Sequence, residues 1–387
     1  MDKIQNQKMY RFLMVLIICA TAGLHVWRTL FDNFAVHVVH LNGSHIGILQ
    51  SVREIPGFLA LLVVYVLLIL KEHRLSALSV LILGIGVAVT GFLPTFYGLL
   101  FTTLVMSFGF HYFETTNQSL TLQYFDEKTA PVVFGKLRSL ASASNVCAGA
   151  MIFMLASVMN YTQLYFLFGV LIVGAGAWAL TQNPADKNIL LQRKKMILRK
   201  KYWLFYVLTF MAGARRQIFV AFAVFLLVKK FGFSVQEIAL LFLINNIINY
   251  FLSPFIGRCI VRFGERNVLS LEYFSLIFIF ISYAMVESKT VVACLYVADH
   301  IFFNFAIAIR TFFQKIADPR DIAPSMAVGF TINHIAAVFL PAVGGLLWMV
   351  DYRIPFVGGA VLGFFSLILV QQIPGQLEKN RKINFGL

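Results

Sequence analysis

Negative charge is what this chain has least of. Its 387 residues include 17 acidic side chains against 32 basic ones, and charged residues of all kinds make up only 13% of it. That is about half the charged fraction of an ordinary soluble domain. With 59% of its residues hydrophobic, the chain cannot be a soluble fold and must be a membrane protein with many spans. Cysteine is scarce as well: Cys19, Cys147, Cys259 and Cys294 form no CxxC pair, which excludes a disulfide framework. They read as small core residues. There is no HExxH, nucleophile elbow or phosphate-binding loop, so no catalysis, cofactor or resident metal is expected. No nucleic-acid motif accompanies the net charge of +15, and nucleic acid is not an expected partner. The first apolar run is too long for a cleavable signal peptide and no A-x-A-like site follows it.

Long apolar runs are what the chain does have. Twelve segments are expected to be helical spans, at about 10–38, 46–70, 75–93, 96–123, 138–159 and 163–180, then 203–228, 234–256, 268–286, 290–313, 325–349 and 354–372. The connections are mostly short, so consecutive spans should run antiparallel. Only Thr181 to Lys201 is long, and it is rich in lysine and arginine. The expected organisation is therefore a six-helix half at 1–180, a basic linker at 181–201, and a second six-helix half at 202–387 with a short tail. Lysine and arginine divide 23 to 4 between the two sides of the membrane if the N-terminus is inside. By the positive-inside rule both termini are cytoplasmic, in a monomeric multi-pass protein of the cell (inner) membrane.

The two halves carry traces of duplication. Ala22-Gly23 recurs as Ala212-Gly213, 190 residues on; Phe110-His111 and Ala130-Pro131 are matched by Phe303-Asn304 and Ala323-Pro324, each 193 residues on. After span 8 comes Gly257-Arg-Cys-Ile-Val261-Arg262-Phe-Gly264-Glu-Arg266. This resembles the G-x-x-x-D-R-x-G-x-R-like loop signature of the major facilitator superfamily, with Val261 in place of the acid. The corresponding loop after span 2 keeps only Lys71-Glu72-His73-Arg74. The resemblance implies two pseudo-symmetric halves of an all-α fold, working by alternating access. It also implies a gate role for Gly257, Arg262, Gly264 and Arg266, with Arg310 at the inner end of span 10. A basic turn facing anionic lipid is the plainer account of the same residues.

Charge inside the spans marks the candidate site, because an ionisable group at membrane depth is costly unless it faces protein, water or a ligand. The resemblance implies that spans 1, 4, 7 and 10 line a central cavity, and each carries charge. Span 1 has Arg28 and Asp32, an i, i+4 pair that can neutralise itself; span 4 has His111 and Glu114; span 7 has Arg215-Arg216-Gln217; span 10 has Asp299, His300, Asn304 and Arg310. Arg215 and Arg216 fall near mid-membrane, where repeat-built transporters hold substrate. Consecutive helix residues point about 100° apart, so one arginine can face cargo while the other braces a helix.

Arg28, Arg215, Arg216, Gln217, His111 and Asn304 are the expected substrate contacts. Asp32, Glu114, Asp299 and His300 are the expected proton-coupling groups. An arginine in span 1 and another in span 7 is similar to the arrangement in organophosphate–phosphate antiporters, and the planar guanidinium suits phosphate and carboxylate. The expected function is thus transport of a small anionic solute, coupled to protons. Three alternatives stay open. Drug efflux lacks the G-P-x-x-G-G stretch in span 5. Transition-metal transport has ligand types in His111, Glu114, Asp299, His300 and His334 but arginines beside them. A membrane sensor of the same fold is the third. Asn245, Asn246 and Asn249 form a stripe on span 8 that serves as cavity lining or as interhelical glue.

Overall fold

In a computed structural model of the protein, residues 6–41, 43–186, 189, 192, 195–233 and 235–378 are described. Among them all regular structure is helical. Spans 1, 3, 4, 5 and 6 are the unbroken helices Gln7–His37, Glu72–Thr90, Phe96–Tyr124, Ala130–Leu155 and Tyr161–Thr181, and spans 11 and 12 are Ile322–Val350 and Arg353–Val370. Span 5 begins well before the expected 138. Pro131 sits in its first turn, where a missing N–H costs nothing, and Asp126 just ahead accepts from the backbone N–H of Lys128 and of Thr129. Span 6 starts with a capping box: Asn160 accepts from Gln163 N–H, and Gln163 accepts in return from Asn160 N–H. The Asn160 side chain is therefore engaged in capping the helix.

Three spans are interrupted. Span 2 runs Gly43–Phe58, a 3-10 turn Leu59–Leu62, then Val63–Val66. Span 7 is Trp203–Ile218, a π-helical turn Phe219–Ala223, then Val224–Lys229. Span 10 is Lys289–Phe303, a 3-10 turn Asn304–Ala306, then Ile307–Ile316. Spans 8 and 9 join in one helical run, Val235–Met285, bent at Gly264 with φ 78° and ψ 160°. Only glycine holds that conformation without strain. An added Cβ at Gly264 meets nothing within 4 Å, so Gly264→Ala is expected to destabilise through the backbone alone, by about 1–3 kcal/mol. A lowered unfolding midpoint in detergent is the check.

The chain forms two compact units: Met1–Phe125, Leu137–Ile197 and Arg320–Thr331 in the first; Asp126–Lys136, Leu198–Pro319 and Ile332–Leu387 in the second. The segments 126–136 and 320–331 each open a span, the fifth and the eleventh, and each carries one copy of the repeated Ala-Pro pair. In the first unit, span 3 packs on spans 4 and 6 through small residues. A Cβ at Gly169 would lie 2.3 Å from Ala88 N, and one at Gly109 would lie 2.4 Å from Leu83 N. Backbones this close are the usual solution among membrane helices, which have no hydrophobic drive to associate. In the second unit an aromatic-rich core of Phe219, Phe222, Phe280, Tyr283, Tyr296 and Phe356 joins spans 7, 9, 10 and 12.

Candidate functional site

Arg215 stands four residues before the π turn of span 7 and is 1% exposed. Its Nη2 lies 3.6 Å from Glu272 Oε1 on span 9, its guanidinium carbon is 4.2 Å from the centre of the Tyr273 ring, and Nη1 donates to Ser366 Oγ on span 12. Asp299 on span 10, also 1% exposed, feels the field of Arg215, and Glu272 feels that of Asp299. One guanidinium thus faces two carboxylates, all out of contact with solvent. Burying an unpaired charge is expensive, so the second carboxylate must be neutralised by a proton or by another cation. Both Glu272 oxygens, Asp299 Oδ2, and Arg215 Nε and Nη2 have no hydrogen-bond partner within the protein. The triad is under-satisfied, unlike a static structural ion pair.

A second polar group adjoins it without charge. On span 8, Asn249 has its amide nitrogen 2.8 Å from His300 Nε2, and its Oδ1 accepts from Asn304 Nδ2, which also donates to the His300 carbonyl. Asn304 opens the 3-10 turn of span 10, and Phe219, first residue of the π turn, stacks on Tyr296 at 5.2 Å. Both helix interruptions therefore border these polar residues, as π and 3-10 turns often do at functional sites. The expected asparagine stripe divides: Asn245 and Asn249 are buried, while Asn246 is half-buried and donates back to the Phe242 carbonyl.

Arg216 is half-buried and Gln217 is buried. In the first unit Arg28 is exposed on span 1; the side chain of Asp32 lies outside what is described. His111 is buried, its ring 5.8 Å from Phe330, with a ring nitrogen within 4.8 Å of a Glu54 carboxylate oxygen. Glu54 pairs with Arg53 at 2.6 Å, and Glu114 accepts from Gln118.

In the gate segment, Gly257 seats against Pro131, where a Cβ would be 2.4 Å from its carbonyl oxygen. Arg266 donates to Gln371, Arg262 is exposed beside Phe263, and Arg310 lies 5.7 Å from the Phe134 ring. Val261 removes the signature's acid, yet a carboxylate is present four residues on: Glu265, buried, pairs with Lys315 at 2.9 Å. Its counterpart, Glu72, stands 193 residues earlier and accepts from Gln123 at 2.7 Å. Each unit thus ties the start of its third span to the end of its fourth.

Glu272 is the member of the buried charge cluster that reading the sequence missed. Span 9 is not among the four expected to line the cavity, and a lone glutamate near its start looks like the end of a loop. Its offset from Arg215 has no helical periodicity that could have flagged it.

The described residues form a helical protein of two compact units with three interrupted spans and a buried charge cluster. The sequence matches the Major Facilitator Superfamily profile over residues 12–341, and the chain belongs to that family. Multidrug resistance protein 1 of Bacillus subtilis (strain 168) is 24% identical over 241 residues, 59% of this chain and 61% of the relative, so the match spans about three fifths of that relative's length. The fold is similar to that of the human organic anion transporter MFSD10, with a TM-score of 0.75 and 11% identity over 95% of this chain and 100% of the other. It is likewise similar to a bacterial homologue of the iron transporter ferroportin (TM-score 0.76, 12% identity, 95% and 99% covered). The Escherichia coli fucose:proton symporter FucP matches comparably (TM-score 0.75, 11% identity, 95% and 99% covered).

Proposed function

We propose that the protein is a secondary active transporter that moves a small anionic solute across the cell membrane by alternating access, coupled to protons. The observation that carries this reading is the buried triad of Arg215, Glu272 and Asp299, one positive group facing two negative ones. An anion arriving beside Arg216 and Gln217 competes with the carboxylates for the Arg215 guanidinium, whose Nη2 is only loosely held at 3.6 Å. A carboxylate that loses its arginine in a dry site takes up a proton. Anion and proton then bind together, and each raises the affinity for the other by linkage. The fold's likeness to an organic anion transporter and to a proton symporter supports both parts of the reading. The basic segment 181–201 is the proposed cytoplasmic linker between the six-span halves 1–180 and 202–387. The inside location of both termini rests on the 23 to 4 charge division.

Thermal unfolding of the purified protein against anionic, neutral and cationic metabolites and divalent metals tests the cargo class. A ligand at 100 times its Kd stabilises by about 2.7 kcal/mol, and the expected hit is an anion. Stabilisation by lipophilic cations alone would favour the drug-efflux reading that the 24% identity to a multidrug resistance protein suggests. For coupling, Glu272→Gln and Asp299→Asn in proteoliposomes are expected to keep exchange of cargo at equal concentrations. At least one should lose accumulation driven by a pH gradient. Full accumulation in both variants would remove the triad from the coupling path.

A further inference from the structure

Along span 8, Asn245, Asn249 and Ser253 recur every four residues on one buried face, at 2%, 3% and 0% exposure. Two contacts fix the register of this face against span 10. Phe242 lies 6.2 Å from the Tyr296 ring, and Asn249 meets His300 and Asn304. Asn245 lies between Phe242 and Asn249, and therefore at the level of Asp299 and His300.

Both amide atoms of Asn245, the Ser253 hydroxyl and Asn304 Oδ1 are buried with no hydrogen-bond partner in the protein. Asn245 therefore carries hydrogen-bonding capacity that the packing of spans 8 and 10 does not use. These atoms are amide and hydroxyl donors and acceptors spread along one helix face, Asn245 and Ser253 being about 12 Å apart at 1.5 Å per residue. The partner that matches this pattern is a hydroxyl, which donates once and accepts twice.

We propose that Asn245, Asn249, Ser253, His300 and Asn304 form an uncharged hydrogen-bonding subsite for hydroxyl groups, so that the cargo is a hydroxylated organic acid. The charged triad answers to its carboxylate and the amide stripe to its hydroxyls. The inference rests on the anion-transport reading above and narrows it. It disfavours bare alkyl carboxylates and inorganic phosphate, neither of which fills the stripe.

The test uses purified full-length protein and matched acids that differ only in hydroxyls: propanoate with lactate, butanoate with 3-hydroxybutanoate, and hexanoate with gluconate. A neutral polyol, sorbitol, is included. Apparent Kd values come from thermal-unfolding titrations. For at least one pair the hydroxylated member is expected to bind about tenfold or more tightly than its partner, since a site built to bond a hydroxyl rejects the analogue lacking it. Asn245→Leu should bring that ratio close to one, by weakening the hydroxylated member more than its deoxy partner. Asn304→Ala, should Asn245→Leu fail to fold, is expected to do the same. Equal binding within every pair in the wild type, or a ratio that survives in both variants, overturns the subsite and leaves the anion reading intact. Binding of sorbitol alone, lost in Asn245→Leu, keeps the hydroxyl subsite and overturns the anion reading. No stabilisation by any of these probes overturns the subsite as stated.

Discussion

Replacing Arg215 with alanine is expected to cost about 3–5 kcal/mol of stability, the range for removing one partner of a buried ion pair. The reason is the charge it leaves behind. Glu272 and Asp299 are 0% and 1% exposed, and Arg215 pairs with Glu272 at 3.6 Å. Arg215→Lys keeps the charge but loses the fork to Ser366 and the stacking over Tyr273, so it should recover only part of the loss. The decisive comparison is Arg215→Ala combined with Glu272→Gln and Asp299→Asn. If charge balance holds the triad together, the neutralised triple variant is more stable than Arg215→Ala alone, although more groups have been removed. Unfolding midpoints in detergent that fall further with each added substitution would show that these residues act by packing rather than by charge. Arg216→Ala is expected to change stability by much less, because that side chain is half-buried.

Gly169→Leu should be the most damaging substitution in the first unit. Its Cβ would lie 2.3 Å from Ala88 N and 2.4 Å from Ala88 Cα, so relief requires span 6 to move away from span 3 as a body. Overpacking usually costs about 1–3 kcal/mol when side chains can adjust. Here the obstacle is backbone, and the expected loss is at the top of that range or beyond it. Gly174→Leu is the control on the same helix, where a Cβ meets nothing within 4 Å and the substitution should be tolerated. A monodisperse Gly169→Leu protein with an unchanged unfolding midpoint would mean that spans 3 and 6 are not held at this distance.

Much of the site was legible because charge in an apolar span is conspicuous. Arg215, Asp299 and His300 announce themselves by the cost of burying them, and the structure places all three beside the interruptions of spans 7 and 10. What they do there was not legible. The sequence offers Arg215 and Arg216 as equals, and only the packing makes one a buried partner of Glu272 and leaves the other half-buried. The loop after span 8 shows the same division: Val261 removes the signature's acid, but Glu265 pairs with Lys315, and in the first unit Glu72 accepts a hydrogen bond from Gln123.

The sequence by itself determined the solvent, the all-helical class and the spans, because these follow from the length and spacing of apolar runs in a bilayer that tolerates no unsatisfied backbone. Tertiary structure alone decided that Arg215 pairs with Glu272, that Asn245 stands at the level of Asp299, and that spans 7 and 10 break near these residues. Those contacts join residues dozens of positions apart on different helices. Each helix's rotation is set by how its small and aromatic residues pack against its neighbours, which the period of a single helix does not encode.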